Sequence, residues 1–378
     1  MERNEVMMKV LFCGTVVPES YDTKLRYLSP ASNRFQINFC KELIRQGNSL
    51  KFLSYIGFPI EGDIPDFKSE EDFLHGSVEY VYRKKNIVES IWSFTTKVGQ
   101  YMKEADVLIS YNVVYTWMIA PLLSKRKHIR AVLLLADYTE ASSFESYKKR
   151  CYAKLQLYSI RHYDVVVGLS ANSKRFLKGK QAFIRMEGGI SEFVYDFFNK
   201  KELPGDKAIL MYSGLLEPVT GIDLLLEAFY RIEDNDIELW VSGKGSLNEK
   251  VREYESMDGR IVNIGYLDYE QYLSRLKKVQ ILINPRNMNL QENENNFPSK
   301  MMEYLATGKS IISTKFAGYE RFEEYMVFCE SNVEDMKAVI EQFVRNQGYK
   351  DESIYPRNRE FARNFLWKNQ VQEVLTRI

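Results

Sequence analysis

The sequence predicts an α/β protein built from two doubly wound parallel-sheet domains. Three observations point there. The chain has 378 residues, more than one hydrophobic core usually organises. Short apolar runs alternate with amphipathic helical stretches, the pattern of parallel strands covered by helices on both faces. The alternation lapses just past Ser191 and then begins again. Apolar residues make up 45% and charged residues 27% of the chain, which fits a globular protein with a sizeable core and excludes general disorder. The formal net charge of +1 and the lack of any nucleic-acid motif exclude a nucleic-acid partner.

The first domain is drawn as residues 1–195. Its clearest strands are Lys9 to Cys13, Val107 to Ser110, Ala131 to Leu135 and Val165 to Gly168. Asn33 to Gln46 carries Phe35, Phe39, Leu43 and Ile44 at helical spacing and stops at Gly47, so it is a crossover helix after the first strand. The run SEFVYDFFNKKELPGDK passes from an aromatic cluster into charges and turn formers, which marks the linker. The second domain, 196–355, has strands at Ala208 to Tyr212, Ile237 to Ser242, Ile261 to Ile264, Val279 to Ile283 and Ser310 to Ser313. Residues 356–378 read as one or two helices carrying Phe361, Phe365, Leu366, Trp367, Val371 and Val374.

Cys13, Cys40, Cys151 and Cys329 lie far apart, without the paired spacing of a zinc site or a disulfide framework. The start, Met-Glu-Arg-Asn-Glu, lacks a signal-peptide pattern, and no apolar run is long enough to span a bilayer. A cytoplasmic location is expected. Open parallel sheets bind ligands at the carboxyl ends of their strands, so the chemistry is expected in a cleft where the two domains face each other.

The strongest chemical signal is ILINPRNMNLQENENNFPSKMMEYLATGKSIIST, read as strand, loop, helix, Gly stop and strand. Pro298 suits the first turn of the helix, with Asn295 or Asn296 as its cap. The helix start offers backbone amides and the positive end of a dipole to an anion, and Arg286 and Lys300 add two cations. That is a diphosphate site without glycines. Glu303 shares the helix face of Lys300, where a carboxylate could accept hydrogen bonds from both hydroxyls of a ribose. Singly, each of these residues also fits a solvated helix face.

Taken together, the segment resembles the donor-binding region of the family 4 retaining glycosyltransferases, enzymes of the two-Rossmann-domain (GT-B) fold. Their pattern is Glu, seven residues, Glu, then an Ala-x-Gly stop and an apolar strand. Glu303 to Gly308 matches its second half, and NPR, FPSK and MEYLATGK are similar to a branch found in bacterial polysaccharide assembly. The first glutamate falls on Asn295, with Glu294 beside it. MYSGLLEPVTGIDLLLEAF resembles the family's phosphate loop from Gly214 to Gly221, but Leu215 and Thr220 stand where the family commonly has Arg and Lys. VSGKGSL, with Gly243, Lys244 and Gly245, is similar to the family's strand followed by Gly-x-Gly, and VNIGYLDYEQYLSRL to its base-reading loop, pointing to Tyr266 and Leu267.

The resemblance implies donor contacts from Gly14, Gly214, Gly243, Lys244, Gly245, Tyr266, Leu267, Arg286, Asn295, Phe297, Pro298, Ser299, Lys300 and Glu303. It implies that the terminal helix returns to the first domain. SPASNRFQINF is similar to the family's first helix, with Thr15 and a capping Asn33 as acceptor contacts, although capping alone would also explain Asn33. AVLLLADYTEA ends at Asp137, where the family often has a His-Asp pair lining the sugar site; the His place is Ala136. His75, His128 and His162 fall in no motif.

The expected reaction moves a sugar from a nucleotide diphosphate, UDP or GDP, to a glycan or lipid-linked acceptor in cell-surface polysaccharide synthesis. Arg286, Lys300 and Asp137 are its catalytic candidates. No separate cofactor is expected, and without an Asp-x-Asp element in a plausible position no metal is either. Tyr147 to Arg161 interleaves basic and aromatic residues, with Lys125, Arg126 and Lys127 upstream, a pattern that suits peripheral contact with an anionic membrane as well as a plain solvated face. Two rivals remain at this stage, a catalytically silent GT-B partner subunit and a nucleotide-sugar epimerase of similar architecture.

Overall fold

The computed structural model describes residues 7–21, 29–57, 73–200 and 207–378. The first five residues, the Lys201 to Asp206 part of the expected linker and the side chain of His75 lie outside the described residues. The chain divides into two compact units, residues 1–189 with 367–378, and residues 190–366.

The first unit is a parallel sheet of β1 (Lys9–Gly14), β2 (Ser49–Ile56), β3 (Val78–Tyr82), β4 (Val107–Tyr111), β5 (Arg130–Leu135), β6 (Val165–Gly168) and β7 (Ala182–Arg185). Their order is β3-β2-β1-β4-β5-β6-β7, so the sheet is wound outward in both directions from β1 and β4. Helices α1 (Pro30–Arg45), α2 (Ile87–Tyr101), α3 (Ala120–Arg126) and α4 (Tyr147–Ile160) make the crossovers. One core unites Leu11, Leu108 and Leu133 of the central strands with Phe94 of α2, Ala120 of α3 and Ile160 of α4. These three helices therefore cover one face of the sheet.

The second unit begins with α5 (Glu192–Phe197) and continues through β8 (Ala208–Leu215), α6 (Ile222–Tyr230), β9 (Ile237–Lys244), α7 (Asn248–Met257), β10 (Ile261–Gly265) and α8 (Tyr269–Lys278). Then follow β11 (Ile281–Asn284), α9 (Lys300–Thr307), β12 (Ser310–Thr314), β13 (Val327–Cys329), α10 (Val333–Arg345) and α11 (Ile354–Arg363). The order β10-β9-β8-β11-β12-β13 is again doubly wound and parallel. The fold class is the expected one: two Rossmann-like parallel-sheet units.

Helix α11 packs on α9 inside the second unit. The segment counted with the first unit starts at Trp367, later than Pro356, where the sequence reading drew it. Its helix α12 (Trp367–Leu375) lies on α1, with the Trp367 ring edge-on to Phe35 and Phe39 at 5.0 and 6.4 Å.

Candidate functional site

In a doubly wound sheet the loops leave a crevice where the winding reverses. In the second unit that point lies between β8 and β11. The loops that follow these two strands are tied together by buried contacts. Gly221, which opens α6, has φ 71°, and a Cβ there would stand 1.9 Å from the Pro285 carbonyl oxygen. Only glycine meets both conditions. The approach seats Arg286 against the β8 loop.

Asn293, fully buried, completes the tie. Its Oδ1 accepts from Arg286 Nη1 at 2.7 Å, while its Nδ2 donates to the carbonyls of Val219 and Asn287, both at 2.7 Å. The side-chain amide thus aims the guanidinium and joins the two loops. The Arg286 charge reaches Tyr212, whose phenol burial pushes up to about 12 against the opposing influences of Thr220 and Arg286. Sequence reasoning missed Asn293. It sits among Asn287, Asn289, Asn295 and Asn296, and nothing in the local pattern singles it out.

Lys300 opens α9, and its ammonium donates to the Ser213 carbonyl at 2.5 Å, which holds the charge at the end of β8. The helix start differs from the expectation. Ser299 is the cap position and forms no side-chain capping bond, and Pro298 precedes it. Asn295 and Asn296 are therefore not the cap. The reason is the turn before the helix: Met301 N–H bonds to Pro298 at 2.9 Å, while Phe297 is buried against Phe316 and Phe322 at 5.3 and 6.0 Å. Packing of Phe297 fixes where the chain turns in. Asn295 and Pro298 are buried beside it and Ser299 is exposed.

Glu303 lies one turn along and is half-buried. Its Oε1 accepts from the Tyr269 hydroxyl and its Oε2 from that of Tyr272, each at 3.0 Å. Burial, then the Glu303 charge, push the Tyr272 phenol well above its ordinary range, so it stays protonated and donates. Each carboxylate oxygen accepts two hydrogen bonds, so the clamp orients the group without using it up. Lys300 Nζ lies 5.1 Å from the Tyr272 ring, which brings cation, carboxylate and phenol into one cluster.

The other loops are braced. Gly214 and Gly243 pair across β8 and β9, and a Cβ on Gly243 would meet the Gly214 carbonyl oxygen at 1.8 Å. Gly245 turns tightly under Leu216. Glu217 accepts from both the amide and the hydroxyl of Ser246 at 2.8 and 2.5 Å, which pull its carboxyl below the ordinary value. Thr220 donates to Leu215 and Glu217 carbonyls and Leu215 is exposed, so neither position supplies a cation. Lys244 stands 4.7 Å over the ring of Tyr266, which is 52% exposed. Leu267 is half-buried next to it.

The first unit reverses between β1 and β4. Gly14 ends β1 against Gln36, and Thr15 is held by three bonds: its amide to Gln36, its carbonyl from Gln36, its hydroxyl to the Tyr55 carbonyl. Asn33 corrects the sequence reading. The α1 cap is Ser29, which accepts from Ser32 N–H at 3.3 Å, and Asn33 is fully buried inside the helix, bonded to both the amide and the carbonyl of Val17 at 3.0 Å. A side chain so placed shapes the β1 loop. Asp137 is exposed just past β5. Asn112, at φ 53°, accepts the amides of Ala136 and Asp137 at 2.8 and 3.1 Å and so fixes that strand end.

Residues 195–361 match the family model described as Glycosyl transferases group 1. With its two doubly wound units, the chain is a glycosyltransferase of the GT-B fold. Its second unit belongs to the group 1 glycosyl transferases. No curated protein matches the sequence. Similar solved structures include Anabaena HepE in complex with UDP and glucose, at TM-score 0.70 and 13% identity over 98% of this chain and 100% of that one. The lipopolysaccharide outer core galactosyltransferase WaaB, in its apo form, aligns at 0.69 and 14% over 98% and 100%. A glycosyltransferase from Rickettsia africae aligns at 0.70 and 15% over 98% and 97%. At these identities the likeness is one of fold.

Proposed function

We propose that the protein transfers a sugar from a nucleotide diphosphate sugar to a glycan or lipid-linked acceptor in cell-surface polysaccharide synthesis, with retention at the anomeric carbon and without a metal. The observation that carries the reading is the Asn293 tie, which sets Arg286 beside the β8 loop whose strand end also holds Lys300. Two cations on adjacent strand ends suit a diphosphate, in the places left by the cations absent at Leu215 and Thr220. Glu303, oriented by two phenols, suits the ribose. Tyr266 and Leu267 suit the base. UDP ranks ahead of GDP because HepE is complexed with UDP.

In the transfer, the bond from the anomeric carbon to the diphosphate oxygen breaks as the acceptor hydroxyl bonds to that carbon. The acceptor proton passes to the departing phosphate oxygen on the same face. Arg286 and Lys300 stabilise the charge that develops there, the kind of preorganised electrostatics that dominates such catalysis. Asp137 is the first unit's candidate for the sugar side.

A thermal-shift screen against uridine, guanosine and adenosine diphosphates and their sugars tests the reading, since a ligand stabilises with the logarithm of its saturation. One diphosphate should raise the midpoint, and Lys300→Ala should abolish the rise. A flat response to every nucleotide would end the proposal.

A further inference from the structure

Helices of a parallel α/β unit start at the carboxyl edge of the sheet, the edge where ligands bind. In the first unit this edge is unusual for what its helix starts expose. At the start of α2, Ile87, Val88 and Trp92 are 57%, 70% and 72% exposed. The helix buries Ser90, Phe94 and Val98 instead, so Val88 and Trp92, one turn apart, form an apolar ridge on its opposite face. Tyr147, which opens α4, is 79% exposed.

Among the described residues, the starts of both helices are basic. Arg83, Lys84 and Lys85 are exposed just before α2, and Lys148, Lys149 and Arg150 in the first turn of α4. Glu89 and Glu145 are the exposed carboxylates at these two helix starts, so cations dominate there. Large apolar side chains left in water beside clustered cations fit an interface that is apolar in depth and anionic at its surface. Nucleic acid offers no apolar layer. A second copy docked face to face would set the same cations against each other, since a two-fold interface pairs a patch with itself.

We infer that this edge of the first unit docks on an anionic lipid bilayer, with Val88 and Trp92 entering the headgroup boundary and the two basic clusters meeting lipid phosphates. The role rests on the proposed transferase activity: the strand ends of this edge, Asp137 among them, are then held at the surface where a lipid-linked acceptor resides. The apolar ridge lies outside the Tyr147 to Arg161 run that the sequence brought forward.

The test is co-sedimentation of the full chain with phosphatidylcholine vesicles, with and without about 30% phosphatidylglycerol, at rising salt. The wild type should pellet only with the anionic vesicles, and salt should weaken the binding. Val88→Glu with Trp92→Glu should lower partition about 10-fold, and Arg83→Glu with Lys84→Glu and Lys85→Glu on the order of 100-fold. Both variants should keep the wild-type melting midpoint and its rise with nucleotide. Wild-type protein left in the supernatant, or variants that pellet as well as wild type, would overturn the inference. So would self-association, measured by sedimentation velocity, that the ridge variant abolishes, because the ridge would then join two copies. Loss of nucleotide binding in the wild type, with vesicle binding intact, would sink the transferase reading and leave the docking surface standing.

Discussion

The two units share a winding pattern but use their reversal points differently. Between β8 and β11, buried or half-buried groups serve half-buried charges: Asn293 aims Arg286, Tyr269 and Tyr272 orient Glu303, and Ser213 holds Lys300. Between β1 and β4 the polar groups serve the backbone: Gln36 and Asn33 stitch the β1 loop, and Asn112 pins the strand end that carries Asp137. The second unit is thus built to present charge. The first is built to hold a loop in shape and, among the described residues, leaves Asp137 as an exposed charged candidate at its edge.

The largest effect should come from the cations. Lys300→Ala or Arg286→Ala should lower kcat/KM by about 100- to 1000-fold with the fold retained, the usual cost of removing one group that stabilises developing negative charge. Asp137→Asn should cost less and leave donor binding unchanged. Steady-state kinetics and nucleotide titration on the three variants decide it. A larger loss at Asp137 than at Lys300 would reverse the division of labour between the units.

Next comes the scaffold beneath the cations. Gly221→Ala forces a Cβ into the Pro285 carbonyl at a left-handed backbone position, at a cost of roughly 1–3 kcal/mol. It should also displace Arg286, so the melting midpoint and kcat/KM should fall together. Asn293→Ala leaves the Val219 and Asn287 carbonyls without this donor and should cost about 1–3 kcal/mol, again with lost activity. Asn33→Ala removes the same kind of buried pair, from Val17. It should cost a similar amount of stability while kcat stays near wild type at a temperature where the protein remains folded. Equal losses of kcat in both asparagine variants would break the contrast.

What the sequence revealed follows the same divide. Central strands were legible because they are short and wholly apolar, whereas the edge strand β3, VEYVY, is half-exposed and carries no such run. Arg286, Lys300 and Glu303 were legible because each lies in a local order of strand, loop and helix. Asn293 was not, because its partner Val219 is 74 residues away. Asn33 looked like a cap because Asn favours caps, but Ser29 followed by Pro30 is the stronger start signal and the structure follows it. The ridge of Val88 and Trp92 escaped notice because apolar residues one turn apart look alike whether a helix buries them or shows them to solvent.

The smallest effect is electrostatic and again sets unit against unit. Glu79, on β3, ties two lysines: Lys97 at 2.8 Å and Lys51 at 3.1 Å. Burial alone would raise its carboxyl, but these bonds and the Tyr101 hydroxyl outweigh burial and lower it from 4.5 to about 2. A carboxyl depressed in the folded state stabilises the protein above its unfolded value, and that stability is lost as pH falls toward the folded value. The window therefore runs from about pH 4.5 down to about 2. Glu217 is depressed as well, by the Ser246 hydroxyl and amide, but it is more open to water. In melts recorded from pH 6 to pH 3, Glu79→Gln should flatten the acid limb by no more than about 1 kcal/mol, the ceiling for ion pairs that solvent reaches, and Glu217→Gln by less. A steeper change from Glu217 would show that the loops of the second unit, and not the edge strand of the first, set the acid limit of the fold.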